Sequence, residues 1–213
     1  MQKLLNQKNS FSSATGIVSN AATENNQDKL VRILQSAYSG ELAAAHAYRG
    51  HWCAVSDADE RARTRKIEKE ELDHRELVGE MLKKLNAGPD RRREIRATIV
   101  GRTLGLLCHV SGWLAPMYAA GRLESQNIRE YEAAARYARD SGHEEFIEPL
   151  LMMAEVEWEH ELYFRSRVKS HALGRRLDLW SQPPPKETIR LSFEAELASV
   201  MRSPFNTDVM ASL

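Results

Sequence analysis

The sequence predicts an all-α protein built as a four-helix bundle, and three observations carry that prediction. Glycine and proline punctuate the chain sparsely, the segments between them repeat their apolar residues with a period near 3.6, and no run alternates with period two as a half-buried strand would. At 213 residues and 42% hydrophobic, the chain holds one sizeable core and has little room for a second full domain.

The first 26 residues, rich in Asn, Gln and Ser, are expected to form a disordered polar tail. They lack the apolar run of a secretory signal and the arginine bias of a transit peptide. Residues 27–174 are expected to form the bundle. Its first helix is placed from about Asp28 to Val55, with Leu34, Tyr38, Glu41, Ala45 and Tyr48 on one stripe. "SDAD" then breaks and caps, and a second helix from about Asp59 to Asn86 aligns Ile67, Glu71, His74, Val78, Met81 and Leu85 before the stop signal "NAGPD".

Residues 87–114 provide the long connection, as one or two shorter helices. Thr103 to Gly121 contains no Asp, Glu, Lys or Arg, close to the ~20 residues of a spanning helix. Its glycines, Pro116 and His109 favour a buried or interfacial segment over a span. Arg91, Arg92, Arg93 and Arg96 beside it suit either a membrane surface or an ordinary solvated basic face.

A third long helix, from about Ala115 to Arg139, aligns Met117, Ala120, Glu124, Asn127, Tyr131 and Ala134. A fourth, from about Glu144 to Ala172, aligns Phe146, Leu150, Met153, Glu157, His160 and Phe164. Residues 175–213 read as a proline-containing linker followed by an amphipathic segment over 187–201.

Thirty basic residues balance thirty acidic ones, so no global field attracts nucleic acid, and no nucleic-acid partner is expected. Cys53 and Cys108 form no CxxC pair, which excludes a zinc ribbon or a thiolate-held iron site and fits a reducing cytoplasm. Both are expected to be small buried apolar residues. His46, His51 and His109 are read as structural or exposed, and Tyr38 and Tyr48 as core aromatics.

The chemistry lies in the stripes. Each carries one acidic residue near its middle: Glu41, Glu71, Glu124 and Glu157. A buried lone carboxylate costs several kcal/mol unless it is paired or bound to a metal, so four converging carboxylates require a cation. Glu71 and His74 stand at i and i+3 on one face, and Glu157 and His160 repeat the pattern. Two single glutamates with two Glu-x-x-His pairs are the donor set of carboxylate-bridged di-iron and di-manganese bundles. The hard carboxylate oxygens bridge ions, and neutral imidazole suits iron or manganese. Glu41 and Glu71 are 30 residues apart and Glu124 and Glu157 are 33 apart, which matches two antiparallel hairpins with donors at equal height. Asp73 and Glu159 are candidates to orient the two histidines.

"SGELAAAHAYRG" around Glu41, "LGLLCHVSGWLAPMYAAGRLE" leading into Glu124, and Tyr131 seven residues further resemble the demethoxyubiquinone hydroxylase family of ferritin-like di-iron proteins. The resemblance covers about Leu30 to His171. It implies a ferritin-like bundle with Glu41, Glu71, His74, Glu124, Glu157 and His160 as ligands of two iron ions. Glu71 and Glu157 would bridge, Tyr131 would stand behind the ligands or beside the substrate, and a manganese or mixed pair fits the same donors. One position departs: Glu130 occupies the place of the histidine in the family's His-Tyr pair.

The leading reading is therefore a di-iron monooxygenase that activates dioxygen and hydroxylates an apolar, quinone-like small molecule. No flavin, nicotinamide or rubredoxin-like fingerprint is present, so an external electron donor is expected. The resemblance implies a cytoplasmic enzyme peripheral to a membrane through residues 91–121, and it admits a homo-oligomer. One rival on the same fold is ferritin-like iron oxidation or rubrerythrin-like peroxide scavenging. Another is a metal-free helical interaction protein, in which the same glutamates and histidines pair with arginines.

Overall fold

The computed structural model describes residues 2–201, and the side chains of residues 25–199. Six α-helices and no strand occur among the described residues: α1 Gln2–Ala54, α2 Ala58–Lys84, α3 Arg91–Leu107, α4 Leu114–Asp140, α5 Ile147–Ser170 and α6 Glu187–Met201. Local chemistry sets most ends. Asp57 caps α2 by accepting from the Glu60 amide at 2.9 Å, and the chain leaves α2 through Asn86 at φ 52°. Asp90 caps α3, accepting from the amides of Arg92 and Arg93 at 2.8 and 3.2 Å, and those donors hold its carboxyl below the usual range. The connection is thus a single helix. α1 begins far ahead of the expected Asp28, because no proline lies between Gln2 and Asp28 to break it.

The chain divides into two compact units, Met1–His109 with Ala134–Glu148, and Val110–Ala133 with Pro149–Leu213. In the first unit α1 packs against both α2 and α3. Leu30, Leu34, Tyr48, Ile67, Val78, Met81 and Leu82 form its buried core. Arg75 ties the three helices together. Its guanidinium lies 3.6 Å from the Tyr38 ring centre, donates to the Tyr38 carbonyl, and pairs with Glu94 on α3, whose carboxylate also accepts from Ser39 Oγ at 2.7 Å.

The α1–α3 contact is a backbone contact. A Cβ on Gly101 would overlap the Ala43 carbonyl oxygen, and one on Gly50 would overlap the Gly105 backbone. α3 therefore buries only Ala97, Gly101 and Gly105. Its large residues face outward, with Ile99, Leu106 and the following Val110 exposed by 61%, 70% and 78%. Of the two expectations for this apolar segment, buried or interfacial, burial is removed: glycines take the inner face because only they permit that approach. No helix among the described residues is long and apolar enough to cross a membrane.

The second unit buries Met117, Ile128, Tyr131, Leu150, Met153, Phe164 and Val168 between the first part of α4 and α5, with Ile189 and Phe193 from α6. The expected amphipathic segment over 187–201 is α6 itself. The two cysteines differ from expectation. Cys53 is exposed, and Cys108 is half-buried, where burial pushes its thiol up.

His51, near the end of α1, is 3% exposed, and burial lowers its pKa to about 4. The folded chain holds this imidazole neutral, whereas the unfolded chain protonates it near pH 6.5. Its contribution is intact at neutral pH and is lost as pH falls from 6.5 towards 4. Between pH 7 and pH 4.5 that loss is about 2 kcal/mol. His51→Gln should remove this part of the acid slope, so that urea midpoints of variant and wild type converge on acidification. Parallel midpoints would refute the assignment.

Candidate metal centre

In the first unit Glu41 comes from α1, and Glu71 and His74 come from one face of α2. One ligand atom from each lies within 4.8 Å of the others. Exposure is 3% for Glu41, 0% for Glu71 and 4% for His74, although the neighbours Leu72 and Asp73 face outward. The i, i+3 spacing produces this: Ile67, Glu71, His74 and Val78 share the buried stripe.

In the second unit Glu124 comes from α4, and Glu157 and His160 from α5, again with ligand atoms within 4.8 Å of one another. Their exposures are 1%, 0% and 0%. His160 Nδ1 lies 3.7 Å from a Glu157 oxygen. The Asn127 amide, one turn along α4 from Glu124, donates to the Glu124 carboxylate at 3.2 Å and lies 3.5 Å from the same Glu157 oxygen. Sequence reasoning placed Asn127 on the stripe and gave it no task. The signal was its position three residues after a buried acid.

Each unit thus gathers two carboxylates and one imidazole where water is excluded. Like charges that close in a desolvated site stay together only if protons or cations neutralise them. The donor chemistry fits a divalent metal with mixed oxygen and nitrogen ligation.

Asp73 and Glu159 do not orient the histidines. Both are exposed, and Glu159 pairs instead with Lys186 at 2.5 Å. Residues one apart on a helix point about 100° apart, so a neighbour of a buried ligand faces out. Tyr131 is 2% exposed, two turns beyond Glu124. The Glu130 carboxyl is pushed up by burial. His46 is lowered, first by burial and then by Arg102, Arg49 and Arg75.

An all-helical chain with buried carboxylate and histidine groups able to hold a metal falls in the class of helical metalloproteins, and its six helices agree with a ferritin-like bundle. Residues 28–163 match the family described as ubiquinone biosynthesis protein COQ7. The chain belongs to that family, whose members are hydroxylase-type enzymes of ubiquinone biosynthesis. No curated protein and no solved structure matches the chain.

Proposed function

We propose that this chain is a di-iron monooxygenase that hydroxylates an apolar quinone precursor. Glu41, Glu71 and His74 would hold one iron and Glu124, Glu157 and His160 the other; manganese or a mixed pair suits the same donors. The observation that carries this reading is the pair of buried triads, each of two carboxylates and one histidine, inside the family-matched residues.

When bound, the metals would supply the redox chemistry that activates dioxygen. The overall change balances as substrate C–H, O2, two electrons and two protons going to C–OH and water, with the electrons delivered by an external reduced donor. The chain's own residues set the conditions. In each triad two carboxylates would offset the metal charge and one imidazole would complete the donors, and the Asn127 amide orients Glu124. Ile67, Met153 and Phe164, fully buried one turn from Glu71, Glu157 and His160, would keep water from the bound metals. Tyr131, buried two turns beyond Glu124 on α4, would stand behind the ligands or beside the substrate, as the family resemblance implies.

The outward apolar face of α3, flanked by Arg91, Arg92, Arg93 and Arg96, supports peripheral attachment to a membrane from which an isoprenoid substrate enters. One experiment reads both parts. Purified chain reconstituted with ferrous iron is expected to bind about two ions and, with a reductant and oxygen, to add one oxygen atom to a demethoxyquinol. With a long-chain substrate in anionic vesicles, Leu106→Glu should lower the rate about tenfold while leaving a short soluble analogue unaffected. Oxidation of ferrous iron or consumption of peroxide without any hydroxylated product would replace this reading with the storage or scavenging one.

A further inference from the structure

The family match ends at residue 163, yet the described chain continues and runs back along α5 in the opposite direction. Successive contacts trace the path. Tyr118 donates to the Asp178 carbonyl at 2.9 Å, Trp180 Nε1 to Glu161 at 2.6 Å, and Trp158 Nε1 to the Pro184 carbonyl at 2.8 Å. Lys186 then pairs with Glu159 at 2.5 Å and Arg190 with Glu155 at 2.6 Å. The three consecutive prolines, Pro183 to Pro185, restrict the backbone of this strap before folding, which lowers the entropy lost in laying it down.

Trp180 is its anchor. Glu161 and Arg165 are 2% and 5% exposed, and Arg165 Nε donates to Glu161 Oε1 at 2.7 Å. Such a pair is stable in a dry site only if its remaining hydrogen-bonding capacity is filled. The strap fills it. Trp180 Nε1 reaches the same Glu161 oxygen, Arg165 Nη2 donates to the Trp180 and Ser181 carbonyls at 3.2 Å each, and the guanidinium lies 4.9 Å from the indole centre. On its other side the indole meets α4. The Tyr118 ring stands edge-on at 5.2 Å, and a Cβ on Gly121 would overlap the indole ring.

One side chain therefore touches α5 at the residue after His160 and α4 three residues before Glu124. These are the two helices whose separation decides whether Glu124 can meet Glu157 and His160. We infer that Trp180 is a positioning residue: the strap clamps α4 to α5 at the ligand turn and fixes the geometry of the Glu124–Glu157–His160 triad. The inference rests on the metal reading above and concerns a segment beyond the family-matched residues.

The test uses the full chain and three variants, Trp180→Ala, Trp180→Phe and Gly121→Ala, titrated anaerobically with cobalt(II). The d–d absorption reports ligand geometry, and release to a chelator reports affinity. Wild type should hold two ions. Trp180→Ala should release one of them at least about tenfold faster, the scale expected when the support of a ligand is removed. Trp180→Phe, which keeps a ring and loses the N–H donor, should fall between. Gly121→Ala, whose added Cβ would crowd Phe164 on α5 as well as the Trp180 ring, alters no ligand and should shift the spectrum by changing the α4–α5 spacing itself.

If all variants melt lower but bind both ions with wild-type spectra and release rates, the strap only stabilises and the inference is overturned. Should Trp180→Ala not fold, Trp180→Phe carries the same test. A wild type that takes up no cobalt or iron sinks the metal reading, and the clamp is then judged by amide hydrogen exchange. Faster exchange over residues 121–124 and 157–161 in Trp180→Phe sustains it, and unchanged exchange there overturns it.

Discussion

Replacing Glu71 by alanine is expected to leave the chain with less than one bound iron and no hydroxylase activity, because the residue is completely buried and belongs to a triad with Glu41 and His74. Stability should move the other way when metal is absent. Without a cation the folded chain must hold the Glu71 carboxyl dry and close to that of Glu41. Glu71→Gln keeps the shape and removes the ionisable group. Metal-free, it should therefore melt about 5 °C above metal-free wild type. Loaded wild type should in turn exceed both. A metal bound only by the folded state, at a thousand times its dissociation constant, adds about 4 kcal/mol. Calorimetry with and without a chelator, paired with elemental analysis, reads all of this. A wild-type melting temperature indifferent to chelation would exclude a metal in the triad and favour the salt-bridged interaction protein.

The second large effect is expected at Gly101. A leucine there has to displace the α1 backbone at Ala43 or push α3 away, and neither helix has slack at a backbone contact. Overpacking of this kind costs about 3 kcal/mol or more. Gly40 provides the contrast. It lies in α1, one residue before Glu41, with nothing within 4 Å of a built Cβ. Gly40→Ala should therefore stabilise by about 1 kcal/mol through helix propensity alone. Urea denaturation of the two variants should give shifts of opposite sign. A tolerated Gly101→Leu would mean that α3 is not held by close backbone approach.

Much of the fold was legible because its signals are local. α4, expected from Ala115 to Arg139, spans Leu114–Asp140, and α6 spans the expected 187–201. Capping residues, stop signals and apolar period act within a few residues and can be read without a partner. The burial of the six candidate ligands was legible for the same reason, since an acid or a Glu-x-x-His pair on an apolar stripe must face inward.

What stayed hidden depends on segments distant in sequence. Glu161 and Arg165, four apart on α5, look like an ordinary solvent-facing pair. They are buried because a segment 15 to 19 residues further on covers them. The same holds for α3. Its composition announces an apolar helix, but only the α1 backbone decides that glycines take the inside and leucines the outside. Cys53 was misjudged on residue-type averages, which say nothing about which side of a helix end is covered.

The order of the donors along the chain has a consequence for biosynthesis. Glu41, Glu71 and His74 have all been translated by the time α2 ends at Lys84, whereas the other triad waits for His160. At about 5–20 residues per second, the intervening stretch occupies the ribosome for about 4–15 s. During that interval the nascent chain displays one complete trio of donors and no complete counterpart. Any divalent cation abundant in the cell has first access to an isolated three-donor site. Correct loading therefore depends on how readily that early occupant leaves when Glu124, Glu157 and His160 arrive.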